Sequence, residues 1–106
     1  MFYTKNDNNL KTAFKGVTYR TLVYGEKTSL GEFYLKKGTI IPIHSHPHEQ
    51  TGYFISGRAI FIIDGEKHEA NPGDSWNIFG DVKHGVEVLE DSVIIEIFSP
   101  VREDYL

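Results

Sequence analysis

The sequence predicts an all-β fold, a sandwich or a barrel built from many short strands. β-branched and aromatic residues are concentrated in short runs, and glycine, proline and aspartate turns separate these runs. No segment keeps the apolar period of a helix over several turns. Because 40% of the 106 residues are hydrophobic, the chain can bury a core, and we expect one domain, 1–106.

The first part of the chain predicts three strands. Residues 1–15 are polar with isolated aromatic residues, and we expect an arm or a short edge strand there. Residues 17–24 are rich in β-branched and aromatic side chains, which is typical of a strand. A turn at 25–27 leads to a second strand at 29–35, and a third is expected at 40–46.

The second part of the chain predicts six further strands. A strand at 52–55 is expected to end in a turn at 56–57, before the next strand at 59–63. Asp64 and Gly65 are a strong signal for a two-residue hairpin. The remaining predicted strands are 66–70, 75–79, 84–89 and 92–98, with a turn at 71–74.

Composition excludes several classes of function. The chain has no cysteine, which excludes disulfides and thiolate metal sites and fits a reducing compartment. The formal net charge is -4 and the basic residues are scattered, so we expect no nucleic-acid partner. The N-terminus lacks the apolar core of a signal peptide, and no apolar run is long enough to span a membrane. We therefore expect a cytoplasmic protein without a membrane partner.

A cluster of histidines provides the strongest functional signal. His44, His46, His48 and Gln50 are spaced two apart, so in an extended strand their side chains would point to the same face. Neutral imidazole is a common ligand of transition metals. The pattern predicts a metal site completed by a histidine from elsewhere in the chain. Because Pro47 disturbs the strand before His48, we expect His48 at the rim of the site and not among the ligands.

The spacing of these residues resembles the two sequence motifs of the cupins. The first motif is matched by Gly38, His44, His46, Gln50 and Gly57, and the second by residues 71–74 and His84. The resemblance implies a cupin-type double-stranded β-helix, or jelly-roll barrel, with a metal in its mouth. The implied ligands are His44, His46, Gln50 and His84. Such a set would accept one divalent transition metal ion, which could be Zn, Ni, Fe, Mn or Cu.

Gln50 departs from the usual cupin pattern, which has glutamate at this position. A glutamate ligand would cancel one unit of the metal's charge, whereas an amide leaves the charge intact. The ion should then be a stronger Lewis acid and attract anions more strongly. It should also be held less tightly, because a neutral amide oxygen is a weaker ligand.

A closer resemblance extends to the C-terminus. Residues 44–50, 72–74, 82–85 and 97–106 together resemble the cupin proteins of pectin and alginate degradation. Those proteins help the ring form of unsaturated uronate monosaccharides, released by polysaccharide lyases, to convert to the linear keto sugar acid. The resemblance implies that Glu96, Phe98 and Arg102 act beside the metal. The family has aspartate where this chain has the longer Glu96.

The residues themselves support an inward Glu96. It is the only charge within 93–98, and it shares a strand face with Ile94 and Phe98. A carboxylate there is costly unless a cation or a partner lies nearby, and beside a metal it could serve as a general acid or base. The planar fork of Arg102 suits a substrate carboxylate if the tail folds over the barrel mouth. We expect Phe98 and Trp76 to form core or pocket wall.

Two other functions are compatible with the same residues. Three histidines and a neutral ligand would leave positions open for dioxygen, as in an Fe or Mn oxygenase. A non-catalytic module that binds a sugar acid or a metal would need no proton carrier.

Because a small barrel leaves edges and apolar faces to cover, and cupins generally pair, we also expect a homodimer. The partner small molecule is expected to be a sugar acid.

Overall fold

The computed structural model describes residues 1–5 and 10–106, and in this part of the chain all regular structure is β except for one 3-10 turn. The all-β prediction is therefore confirmed. The strands are β1 (Lys11–Phe14), β2 (Val17–Tyr24), β3 (Ser29–Leu35), β4 (Ile40–His44), β5 (Glu49–Ile63), β6 (Glu66–Ala70), β7 (Ser75–Ile78) and β8 (His84–Ser99), followed by the 3-10 turn at Glu103–Tyr105.

Two long strands, β5 and β8, connect both halves of the fold. The first half of β5 lies between β7 and the second half of β8, and β3, β2 and β1 continue that layer outward. The second half of β5 lies between β6 and the first half of β8, which also pairs with β4. All these pairings are antiparallel. The two layers therefore share β5 and β8, and each of these strands contributes one half to each layer.

The predicted turn at 56–57 is wrong, because β5 continues through it. The pairing of β5 with β8 shifts register between Phe54 and Ala59, and Gly57 adopts a φ of 99°. A Cβ at Gly57 would lie 2.3 Å from the Asp91 carbonyl oxygen, so the two strands approach closely there. Such bulges bend a strand without ending it. For the same reason the predicted strands 84–89 and 92–98 form one strand, β8.

Apolar side chains from both layers meet in one core. Phe54, Phe33 and Ile94 come from the first layer, and Phe61 and Val88 come from the second. Phe54 has no exposed surface. Burying each of these side chains contributes about 1.5–3 kcal/mol before the entropic cost of ordering it. This core holds the ends of β4, β5 and β8 together at one end of the fold.

The start and end of the chain lie against the first layer. β1 forms the outer edge of the sheet, as expected for part of the segment 1–15, and residues 6–9 of that segment lie outside the described residues. The backbone oxygen of Tyr105 accepts a hydrogen bond from the Thr21 hydroxyl at 2.9 Å, which ties the C-terminal turn to β2. Among the described residues, no helix is long and apolar enough to cross a membrane.

Candidate metal centre

Strand pairing brings three histidines together at one end of the fold. His44 ends β4 and His84 begins β8, and the two residues are direct partners in the sheet. His46 follows β4, and its carbonyl oxygen accepts a hydrogen bond from the Asp81 N–H at 2.8 Å. This bond holds the loop before β8 against the segment after β4. One nitrogen from each of the three imidazoles lies within 4.8 Å of the others.

The backbone sets the orientation of all three rings. The Nδ1 atoms of His44, His46 and His84 lie 2.8, 3.0 and 2.9 Å from the carbonyl oxygens of Pro42, His48 and Val82. Because a carbonyl only accepts, each Nδ1 must carry the proton, which leaves each Nε2 with a free lone pair. Such a second contact is typical of metal-binding histidines, since it fixes the tautomer and the ring plane.

The environment favours the neutral form of His46 and His84. Burial, together with the charge of Arg102 and the neighbouring His84, lowers the pKa of His46 to about 4, against weaker opposing contacts with His48 and Gln50. Burial also lowers the pKa of His84. The His46 Nε2 atom is buried and makes no hydrogen bond within the described part of the chain. A buried acceptor without a donor is costly, and a cation among the three nitrogens would satisfy it.

Gln50 adds an amide to this group from β5. Its side chain is buried, and Nε2 donates to both carboxyl oxygens of Glu96 at 3.0 Å. Because a carboxylate only accepts, the NH₂ end of the amide faces Glu96 and the oxygen faces away from it. The amide is also close enough to His46 to raise the pKa of that imidazole. The three imidazoles form a donor set that fits a divalent transition metal.

Glu96 points into the core, as predicted from its strand face. Only 8% of its surface is exposed, and Ile94 and Phe98 beside it are buried. Burial raises the pKa of Glu96, and the net value is about 7 because hydrogen bonds from Trp76 and Gln50 and the charge of Arg102 offset part of this effect. A carboxyl group with a pKa near neutrality can both donate and accept a proton.

The C-terminal turn brings Arg102 to the same end of the fold. Its guanidinium carbon lies 4.1 Å from the centre of the Tyr105 ring and 5.1 Å from that of Phe98. Asp104 accepts hydrogen bonds from Nε at 2.9 Å and from Nη2 at 3.2 Å, which uses two of the five N–H donors. The Phe98 ring lies 6.2 Å from the ring of His46, so it forms part of the wall between Arg102 and the histidines.

Two other histidines lie outside the group of three. The His48 ring lies 5.6 Å from that of His46 and lines a cavity of about 560 Å³ with Val101 and Asp104. His68 is exposed on the β6 hairpin, 3.7 Å from Glu66. Neither contributes to the three-nitrogen cluster.

Sequence reasoning missed the part that Trp76 and Tyr105 play here. Trp76 Nε1 donates to Glu96 Oε1 at 3.3 Å, although we expected this side chain only in core or pocket wall. Tyr105 stacks on Arg102 and packs 5.8 Å from the Phe98 ring. The one available signal for Tyr105 was its position within the C-terminal segment that resembles the cupin proteins of pectin and alginate degradation. For Trp76 no local signal existed, because its contact crosses an intervening strand.

Comparison with known proteins supports the fold and narrows the family. A family model described as "Cupin domain" matches residues 31–99. The "Pectin degradation protein KdgF" of Dickeya dadantii (strain 3937) is 32% identical over 93 residues, which cover 86% of this chain and 84% of that protein.

Solved structures with the same fold cover the whole chain. The structure of KdgF from Halomonas sp. superimposes with a TM-score of 0.91 at 27% identity, covering 100% of this chain and 98% of the other. An RmlC-like cupin from Shewanella frigidimarina NCIMB 400 gives a TM-score of 0.92 at 23% identity, covering 100% and 96%, which supports the fold alone. The predicted double-stranded β-helix is thereby confirmed.

Proposed function

This chain belongs to the cupin family, and from that membership we propose that it is a metal-dependent enzyme that converts unsaturated uronate monosaccharides to linear keto sugar acids. Support comes from the similarity to the pectin degradation protein KdgF of Dickeya dadantii and to the structure of KdgF from Halomonas sp.. The observation that carries the proposal is the Glu96 carboxyl group, which is buried and hydrogen-bonded to Gln50, whose amide also contacts His46 of the three-histidine cluster. A module that only binds a ligand has no use for such a costly group.

In this proposal, His44, His46, His84 and Gln50 hold one divalent transition metal, and Zn, Ni, Fe, Mn and Cu all remain compatible with these ligands. When bound, the metal supplies Lewis acidity that polarises a substrate oxygen. The three Nε2 atoms are already deprotonated, because each ring proton is on Nδ1. Gln50 leaves the charge of the ion uncancelled, which favours an anionic substrate.

Glu96 is the proposed proton carrier. Opening of the sugar ring removes the proton of the anomeric hydroxyl and breaks the bond between the anomeric carbon and the ring oxygen, which leaves an aldehyde and an enolate. Protonation of the alkene carbon next to the one that bears this oxygen then gives the ketone. The two steps balance, so one carboxyl group can accept the first proton and return the second. A pKa near 7 makes both protonation states of Glu96 accessible at neutral pH.

Arg102 is proposed to bind the substrate carboxylate and Phe98 to shape the pocket. Two N–H donors of the Arg102 guanidinium contact Asp104, and the others can address an anion. Asp104 is 57% exposed, so its attraction for Arg102 is screened by water. The rings of Phe98 and Tyr105 pack against the guanidinium group of Arg102 and restrict its position.

The test uses the unsaturated product of a pectate lyase or an alginate lyase. Metal-loaded protein should accelerate the loss of the conjugated double bond, and Glu96→Gln should remove most of the acceleration. Glu26→Gln, on an exposed turn, is the matched control and should behave as the wild type. If the wild-type rate equals the spontaneous rate, the proposal fails. Oxygen uptake with a phenol or a diketone would instead indicate an oxygenase, and binding without turnover would indicate a binding module.

We also propose that the protein acts as a homodimer. The outer face of the first layer exposes Tyr53 and Ile55 on β5 and Ile97 on β8, each more than two-fifths exposed. An apolar sheet face of this kind suits a second copy of the chain. Light scattering should give twice the monomer mass, and Ile97→Glu should reduce it to that of the monomer. A monomeric wild type would refute this part of the proposal.

A further inference from the structure

We propose that Trp76 is a positioning residue that holds the carboxyl group of Glu96, and through it the amide of Gln50, in the orientation that the metal site requires. The expected effect of Trp76 on catalysis rests on the proposed function. The expected effect of Trp76 on the metal site follows from the hydrogen bonds alone. Trp76 lies on β7, two strands away from Glu96 on β8.

The hydrogen bonds form a continuous chain. Glu96 Oε1 accepts from Trp76 Nε1 at 3.3 Å and from Gln50 Nε2 at 3.0 Å, and Oε2 accepts from the same Gln50 nitrogen at 3.0 Å. An indole N–H can only donate, so Trp76 favours an acceptor at this place. A glutamate has one more rotatable bond than an aspartate, and the loss of side-chain entropy opposes fixing it. Two donors from different strands restrict its carboxyl group to one position.

A glycine makes this contact possible. Gly52 on β5 is the direct sheet partner of both Trp76 and Glu96, so the three residues form one row across three strands. Neighbouring strands are about 4.8 Å apart, so the outer two residues of the row are too distant for short side chains to meet. The indole spans this gap by lying across the backbone of Gly52.

The space above Gly52 is filled by the indole. A Cβ at this position would lie 2.2 Å from Trp76 Cε2 and Cζ2 and 2.4 Å from Nε1. Gly52 does not have the positive φ of the bulge and turn glycines. An alanine would therefore fit the backbone conformation, and the three atoms nearest to its Cβ would all belong to the indole. The glycine and the tryptophan thus act as one unit, and the glycine can be used to displace the indole without changing it.

Two aromatic rings hold the indole in this place. The Phe61 ring contacts it edge-on with the centres 4.5 Å apart, and the Phe54 ring is 6.3 Å away in a similar orientation. A residue needed only for packing would contribute through these rings. A positioning residue must in addition act through its N–H group, and an experiment can separate these two contributions.

The experiment compares Trp76→Phe, which keeps a ring but removes the N–H group, with Gly52→Ala, which displaces the indole. Gly25→Ala is the matched control, because a Cβ there meets no atom within 4 Å and Gly25 has no positive φ. We expect Trp76→Phe and Gly52→Ala each to weaken binding of Zn²⁺ by about tenfold or more and to lower kcat with little change in KM. Gly25→Ala should change neither quantity.

A double-mutant cycle tests whether Trp76 acts through Glu96. Adding Trp76→Phe to Glu96→Gln should weaken Zn²⁺ binding no further than Glu96→Gln alone. Trp76 is the single tryptophan of the chain, so the emission of metal-free wild type reports this contact. The emission of the wild type should differ from that of Glu96→Gln. The emission of Gly52→Ala should resemble that of Glu96→Gln.

Additive effects in the cycle, or unchanged Zn²⁺ affinity in both folded single variants, would overturn the inference. If Trp76→Phe does not fold, the Gly52→Ala and fluorescence results decide the matter. The Zn²⁺ and fluorescence measurements do not depend on turnover. If they give the expected results while no uronate is converted, the proposed function fails and the positioning role of Trp76 stands.

Discussion

Replacing Glu96 by glutamine should change how the stability of the metal-free protein depends on pH. Folding raises the pKa of Glu96 from 4.5 to about 7, chiefly because burial disfavours the charged carboxylate. For a group whose pKa is raised on folding, the contribution to stability is present below the unfolded-state pKa. It is lost as the pH rises through the folded-state pKa. Wild-type protein should therefore lose stability between pH values of about 4.5 and about 7, and Glu96→Gln should not lose this contribution.

The magnitude follows from the size of the change in pKa. One pKa unit corresponds to about 1.4 kcal/mol, so the shift to about 7 corresponds to about 3 kcal/mol. His46 contributes with the opposite sign, because burial lowers its pKa to about 4 and folding then becomes less favourable as the pH falls below about 6.5. Since both proteins keep His46, its contribution cancels when the two free energies of unfolding are subtracted.

The assay is chemical denaturation of both proteins, stripped of metal, over a range from about pH 4 to about pH 8. We expect the free energy of unfolding of the wild type to fall by about 3 kcal/mol relative to that of Glu96→Gln across this range. The exposed substitution Glu26→Gln is measured in parallel as the control for removal of one carboxyl group. A constant difference for Glu96→Gln, or one that changes in the opposite direction, would refute the assignment of Glu96 as a buried carboxyl group with a raised pKa.

Three further predictions concern the ligands, the bulge and the tail. His44→Ala should leave protein purified without chelators free of metal by elemental analysis, while Gln50→Ala should retain metal with an affinity at least about tenfold lower. Gly57→Ala should destabilise the fold by more than about 2 kcal/mol in chemical denaturation, because it adds a clash with Asp91 and Ser92 to an unfavourable φ. Gly38→Ala, with a similar φ and open space, should cost only about 1 kcal/mol. Tyr105→Leu should raise KM for the uronate more than it lowers kcat, because it removes the ring that packs on Arg102, the residue proposed to bind the substrate carboxylate.

Local sequence patterns predicted most strand positions but not the continuity of the two longest strands. The strands at 17–24, 29–35 and 66–70 have the predicted bounds, because alternation and turn residues act within a few positions. The breaks expected within β5 and β8 are bulges instead. A glycine after a serine has the same local signature in a turn and in a bulge. Only the partner strand decides which of the two forms.

The sequence by itself determined that the chain is all β, that it is a cupin, and that its histidine spacing suits a metal. The metal-site geometry depended on the tertiary structure, because the pairing of β4 with β8 places His44 opposite His84 across a separation of forty residues. The row from Trp76 across Gly52 to Glu96 likewise exists only once β7, β5 and β8 are adjacent. Strand pairing between distant segments has no periodic signal in a single sequence, since the energy that selects it comes from burying side chains of both partners together.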